Sequence, residues 1–337
     1  MGLGTRHGVG RTQVSAMTWM AARGLWPPRP VTLWAAVGVL SLVLGTWSVG
    51  HWLLDGGFTV HVPQPGERGI SDARYIAMWV FQGLIMLTAI GLIGYVVRQC
   101  LAQRRFTFDA SLLLAYAACF WMEPLTNLIR PSLVLNVGLL RAPTWGPYIP
   151  GWYSHDSEQQ THAVVISGPW GYAMTTVWPL LAALVMGRIV LRRWPNLRGG
   201  RFVLAALGCS VLIDWTLEWI YILTGTVTFP GAEPTWLTLF SGHWYQFTTL
   251  RWTASPFWSL IPFLIRHFYL TVGPDSTVLR GSAQLPPRTV AVTRTLALIG
   301  VVAAVYLMFA ANHVLYTRFD GSLPTDLPSY FVPVSQP

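Results

Sequence analysis

Residues 202–224, FVLAALGCSVLIDWTLEWIYILT, form an apolar run with two carboxylates, Asp214 and Glu218, set inside it. About 20 such residues span the hydrocarbon core of a bilayer, so the run reads as a transmembrane helix. Asp214 and Glu218 are four apart, which on a helix puts them on one face, one turn from each other. A third acid, Glu123, lies inside the apolar run 110–129. Ionisable groups at membrane depth are costly, and where they persist they face a protein interior and mark function.

The composition points the same way. Of 337 residues, 53% are hydrophobic and 10% charged, with a mean hydropathy of +0.46, which leaves too little polar surface for a soluble domain of this size. The predicted fold class is all-α, a polytopic membrane helical bundle whose partner is the lipid bilayer. The net charge of +9 is spread over short loops and forms no single basic patch, which argues against nucleic acid. All 22 basic side chains are Arg; without Lys there is no Schiff base, hence no lysine-bound retinal or pyridoxal phosphate, and no P-loop. Cys100, Cys119 and Cys209 fall in or beside apolar runs without CxxC spacing and read as small packed hydrophobes.

Seven runs are long enough to be helices of the bundle: 31–53, 75–97, 110–129, 170–191, 202–224, 254–272 and 290–312. The aromatic stretch 235–252 is broken by Gly242 and His243 and reads as interfacial or re-entrant. Arginine-rich loops stay in the cytoplasm. With the N-terminus inside, 16 arginines fall on inner segments and 6 on outer ones. The chain then divides into a basic cytoplasmic leader (1–30), a transmembrane catalytic bundle (31–313) and a Pro-rich tail (314–337), in which Leu323–Pro337 is expected to be extended and poorly ordered.

In that topology Glu123 and Asp214 lie roughly 20 Å from the inner face of a roughly 30 Å core, with Glu218 about 6 Å further out. The long outer loops 54–74, 130–169 and 225–253 are dense in Gly, Pro and aromatics and suit a lid or funnel over the acids. His155 in one, and His243 and Tyr245 in another, are candidate substrate contacts. The histidines His155 and His162 are seven apart in a loop, a poor spacing for a metal site, and none is expected. Two acids one turn apart repel unless one holds a proton, which yields a proton donor beside a base. Trp215 and Trp219 flank them and offer indole faces to a cation. For Glu123, pairing with Arg130 or a hydrogen bond to Asn127 in the service of helix packing is the structural alternative.

The elements Glu123-Pro124-Leu125-Thr126-Asn127 and Asp214-x3-Glu218, followed by Gly225, Pro230 and Gly231, resemble the carboxylate-Pro-x-x-Asn and Asp-x3-Glu…Gly…Pro-Gly patterns of the AveC-like spirocyclases. Longer stretches, residues 32–75 (TLWAAVGVLSLVLGTWSVGHWLLDGGFTVHVPQPGERGISDARY) and 150–162 (PGWYSHDSEQQTH), are similar to the avermectin-type members. One departure is Glu123, where Asp is the commoner residue before Pro; the longer side chain moves the carboxyl by about one methylene.

The resemblance implies a membrane enzyme of actinobacterial polyketide antibiotic biosynthesis that forms the 6,6-spiroketal of a sixteen-membered macrolide from a dihydroxy-ketone. Some members also dehydrate the ring at C22–C23. No cofactor is called for, because condensation and dehydration leave oxidation state unchanged. Under this reading Asp214 and Glu218 form the acid/base pair, Glu123 is a second carboxylate across the pocket, and Asn127 orients substrate or acid. Two other classes remain: a transporter exporting a lipophilic macrolide with the acids as a proton relay, and a non-catalytic scaffold. A transporter changes where the macrolide is, whereas a cyclase changes what it is.

Overall fold

The computed structural model describes residues 29–154, 161–164, 178–230, 235–249, 253–316 and 324–331. Among these, seven α-helices fall on the seven apolar runs: α1 (Pro30–Leu54), α2 (Asp72–Gln103), α3 (Phe108–Cys119), α4 (Trp178–Arg193), α5 (Gly199–Leu223), α6 (Phe257–Thr271) and α7 (Pro287–Tyr316). Four of them, α1, α2, α5 and α7, are long and apolar enough to cross a membrane. The other three are shorter, at 12, 16 and 15 residues for α3, α4 and α6. In α3 the shortening has a local cause. The helix tightens at Phe120 into a 3-10 segment, Phe120–Asn127, that contains Glu123 and Pro124; proline lacks the N–H and crowds the preceding turn.

The chain is mostly helical, not purely so. Three two-stranded antiparallel ladders occur among the described residues: β1 (Val134–Leu135) with β4 (Val227–Thr228), β2 (Arg141–Pro143) with β3 (Thr161–Ala163), and β5 (Thr238–Leu239) with β6 (Phe247–Thr248). All six strands lie in the loops 130–169 and 225–253. Loops this rich in backbone polar groups need partners, and short ladders supply them.

The helices bury narrow seams and leave wide apolar faces outside. On α1 the seam is Val31, Ala35, Gly38, Ser41, Gly45, Ser48 and Trp52, a spacing of three and four that keeps one face turned inward. Its small residues let α7 come close: a Cβ on Gly38 would meet the Leu296 carbonyl, and one on Gly300 the Trp34 carbonyl. On α2 the seam is Met78, Gln82, Ile85, Ala89, Leu92 and Val96, while Leu84, Leu87 and Ile90 are more than half exposed. Apolar surface of that extent fits a lipid environment. Between the first turn of α3 and the C-terminal half of α6, Asp109 and Arg266 form a two-point ion pair at 2.8 and 3.0 Å.

The tail departs from expectation. Within residues 324–331, Tyr330 and Phe331 are buried, Ser329 Oγ donates to the Arg68 carbonyl, and the Val137 N–H donates to the Tyr330 carbonyl. Proline-rich composition suggested an extended, poorly ordered strand; the described part of it instead packs on the loops that carry Arg68, Val137 and Trp244.

Candidate functional site

Six of the seven buried residues of α5 recur every fourth position, Phe202, Ala206, Ser210, Asp214, Glu218 and Ile222, with Tyr221 beside the last of them. This single stripe carries both acids into the bundle and leaves Trp215 on the outer face, 38% exposed. The helix ends at Gly225, whose φ of +69° is one that L side chains rarely adopt. Its N–H donates to the Ile222 carbonyl at 2.8 Å and that of Thr226 to Tyr221 at 2.9 Å, the paired bonds of a Schellman cap. Arg74 lies against this glycine, where a Cβ would collide with its guanidinium.

Asp214 and Glu218 open together onto one cavity, lined by Trp178 of α4, Leu217 of α5, Ser255 and Trp258 at the start of α6, and Phe309 of α7. The cavity is small, about 40 Å³. Ser255, in the turn before α6, and Ser259, in its first turn, meet the acids in matched register. Ser259 Oγ donates to Asp214 Oδ1 at 2.8 Å, and Ser255 Oγ donates to Glu218 Oε1 at 3.4 Å. Both pairs are four residues apart, so the start of α6 and the turn before it run antiparallel to α5 and present hydroxyl against carboxylate at successive turns of α5. Trp178 Nε1 donates to Asp214 Oδ1 at 3.4 Å, and Ser210 Oγ approaches Oδ2 at 3.4 Å. The acids also face the N-terminal end of α6, where the helix dipole favours negative charge. Around them, Trp258 meets Tyr306 edge-on at 4.5 Å and Phe309 at 5.3 Å, an aromatic wall beside paired carboxyls.

Glu123 is placed differently. Its Oε2 lies 2.6 Å from Nδ1 of His162, and it is not among the residues lining the Asp214/Glu218 cavity. Its 3-10 segment packs against α7, the helix that supplies Phe309. Asn127 is occupied by the following loop: Oδ1 accepts from the N–H groups of Ser132 and Leu133, and Nδ2 donates to the Leu133 carbonyl. Ser132 in turn contacts Nδ1 of the buried His313 at 2.7 Å.

Of the remaining sequence candidates, Trp219, His243 and Tyr245 join an aromatic cluster with Phe240 and Phe247. Trp219 stacks on Phe247 at 5.2 Å, and Tyr245 stacks on His243 at 5.0 Å. His243 Nδ1 is 3.0 Å from Asp326, which also accepts the Trp244 N–H. Burial is the largest single influence and raises the Asp326 carboxyl, but these contacts together outweigh it and hold the group below the usual carboxylate range. None of Trp215, Trp219, His243 and Tyr245 lines the cavity. His155 lies outside the described residues.

Sequence reasoning did not single out Trp178, Ser255, Trp258, Ser259 or Phe309, and it treated His162 only as a loop residue. One signal was present: Ser255 and Ser259 repeat the four-residue spacing of the acids within an apolar helix, where polar side chains tend to bond across helices. For the aromatics there was none, because they come from three separate helices.

Compared with known proteins, residues 103–336 match the family model described as Spirocyclase AveC-like. No curated protein and no solved structure matches the chain.

Proposed function

The chain belongs to the AveC-like spirocyclase family, and from that premise we propose that it closes the 6,6-spiroketal of a macrolide polyketide at the Asp214/Glu218 cavity. The observation that supports this reading most is the pair of buried carboxyls, one turn apart, opening on a single aromatic-walled cavity. Spiroketal formation needs one alcohol to add to a ketone, the hemiketal hydroxyl to leave as water, and a second alcohol to capture the oxocarbenium ion. A protonated carboxyl delivers the proton to the departing hydroxyl. Its ionised neighbour stabilises the cation and then accepts the proton of the second alcohol, the division of labour two carboxyls perform in glycosidases. The faces of Trp178 and Trp258 add cation–π stabilisation in a water-poor site.

In this proposal the cavity takes the reacting dihydroxy-ketone end of the substrate and the remainder of the macrocycle lies among the helices. A folded substrate held by shape sets the configuration at the spiro carbon. The bundle spans a bacterial cell membrane with its N-terminus in the cytoplasm, and the three shorter helices complete a seven-helix crossing. The same acid/base pair suits a C22–C23 dehydration, in which a secondary hydroxyl leaves and a neighbouring proton is removed.

The test is incubation of the full chain in detergent or nanodiscs with an open dihydroxy-ketone macrolide, following mass and chirality. Stereospecific loss of one water, abolished by Asp214→Asn or Glu218→Gln, supports the cyclase. Loss of a second water adds the dehydratase. Unaltered substrate, together with movement of macrolide across vesicles, supports export instead, and full activity in both variants removes the acids from the mechanism.

A further inference from the structure

Residues 235–249, TWLTLFSGHWYQFTT, hold no Asp, Glu or Arg. Strands β5 and β6 pair within them, Thr238 with Thr248 and Leu239 with Phe247, and fold the segment into a hairpin. Its apolar side chains are left outside: Trp236 is 80% exposed and Phe240 54%, and Leu239 is exposed as well. Phe240 has a φ of +54°, a conformation that a bulky L side chain adopts only where its surroundings hold it there. Those surroundings are aromatic. Phe240 meets Trp219 of α5 edge-on at 5.7 Å and Tyr245 at 5.6 Å, and Phe247 stacks on Trp219 at 5.2 Å.

The polar groups of the hairpin are drawn to the tail instead. Asp326 lies 3.0 Å from His243 Nδ1 and accepts the Trp244 N–H at 2.8 Å. The turn itself is satisfied from within. The Gly242 N–H donates to Gln246 Oε1 at 3.1 Å, that of His243 to the Phe240 carbonyl at 3.2 Å, and that of Gln246 to the His243 carbonyl at 2.9 Å. Backbone that finds its partners inside the protein can leave water without stranding a polar group.

Trp219 fixes the depth. Its helix, α5, starts at Gly199 among Arg192, Arg193, Arg198 and Arg201 and is long and apolar enough to cross a membrane. At 1.5 Å per residue Trp219 stands about 30 Å from that start and about 6 Å before the end of the helix. That is one hydrocarbon thickness, roughly 30 Å, from the arginine-rich side. Leu212, Trp215 and Leu223 share the face of Trp219 by helical spacing, and all three are exposed. The apolar side of the hairpin therefore continues the exposed face of a membrane-crossing helix, at the level where hydrocarbon meets headgroups and aromatic side chains collect.

We infer that the 235–249 hairpin is seated in the outer leaflet of the bilayer, with Trp236, Leu239 and Phe240 among the lipid chains and His243 held at the tail. Lipid, not a second protein, covers this surface: it offers no carboxylate or guanidinium by which a protein partner would be selected, and it extends the lipid-facing side of α5. The inference rests on the membrane-spanning bundle and the orientation proposed above and is independent of the reaction. Its consequence for the site is that the hairpin braces Trp219, the neighbour of Glu218, from the lipid side.

The experiment places nitroxide labels on the full chain in nanodiscs of phosphatidylcholine and phosphatidylglycerol. Cys100→Ser and Cys209→Ser remove the partly exposed thiols, and the buried Cys119 stays. Labels go on Trp236→Cys and Leu239→Cys, with Leu87→Cys on the exposed face of α2 as the lipid reference and Thr325→Cys in the tail as the water reference. All four positions are exposed, so the packed core is untouched. Electron paramagnetic resonance then compares collisions with dioxygen, which concentrates in lipid, and with a nickel chelate, which stays in water. Dioxygen is expected to dominate at 236 and 239 as it does at 87, and nickel at 325. Nickel dominance at 236 and 239, with 87 still lipid-like, overturns the inference and leaves the membrane bundle standing. Labels at 236 and 239 that are immobile and shielded from both reagents mean a protein cover and overturn it too. Nickel dominance at 87 as well removes the membrane reading itself, and the inference with it.

Discussion

At the scale of single residues, the site is a balance between the cost of burying carboxyls and the few donors that offset it. Asp214 accepts from Ser259 at 2.8 Å and from Trp178 at 3.4 Å, while Ser210, whose hydroxyl donates to the nearer Pro256 carbonyl, approaches it at 3.4 Å. A hydrogen bond to a charged group contributes about 1.5–3 kcal/mol. Ser259→Ala is therefore expected to lower kcat by roughly tenfold or more while KM changes little, and Ser259→Thr to restore much of it. Steady-state kinetics on the dihydroxy-ketone substrate decide this; an Ala variant with wild-type kcat would remove Ser259 from the site. The acids themselves could be read from sequence because an ionisable residue inside an apolar run stands out. Their hydroxyl partners carried only a weak signal, the four-residue spacing of Ser255 and Ser259, since serine is common in membrane helices and only packing against α5 gives the two a purpose.

At the scale of elements, helix contacts are set by what is missing as much as by what is present. Gly38 and Gly300 let the backbones of α1 and α7 touch, and any side chain there must push the helices apart. Gly38→Ala or Gly300→Ala is expected to destabilise by at least about 1–3 kcal/mol through overpacking. Gly83→Ala on α2, where an added Cβ meets nothing within 4 Å, should be neutral or slightly stabilising. Thermal unfolding in one detergent compares the three directly, and equal shifts for all of them would refute the close-approach account. The Asp109–Arg266 pair joins α3 to α6, and Arg266→Ala strands a buried carboxylate at a cost of about 3–5 kcal/mol. In the same assay Asp109→Asn should cost less, because it leaves no buried anion.

At the scale of the whole molecule, helices carry the site, and the described part of the tail packs on the loops that hold Arg68, Val137 and Trp244. Deleting residues 324–337 removes buried Tyr330 and Phe331 and the Asp326 contacts to His243 and Trp244. Burial of one large aromatic contributes about 1.5–3 kcal/mol, so the truncated chain should unfold at a clearly lower temperature; an unchanged melting curve would mean the tail docks without stabilising. Acid should loosen the same region. Burial pushes the Glu67 carboxyl up, but hydrogen bonds from His61 and the Gln64 N–H, with the charge and contact of Arg141, bring it below 4.5. A folded-state value depressed in this way stabilises fully above the unfolded value, and that stability is lost as pH falls below about 4.5. Amide exchange at the His61–Arg141 backbone bridge should therefore accelerate in that window, and Glu67→Gln should abolish the dependence. The sequence by itself determined the apolar helices and the placement of three acids within them, because hydropathy and i+4 spacing are local properties of the chain. Only the tertiary structure decided that Asp214 and Glu218 share a cavity walled from α4, α6 and α7 while Glu123 turns to His162. Those meetings depend on how separate helices and loops pack, and no local pattern along the chain encodes which distant side chain lies within hydrogen-bond reach.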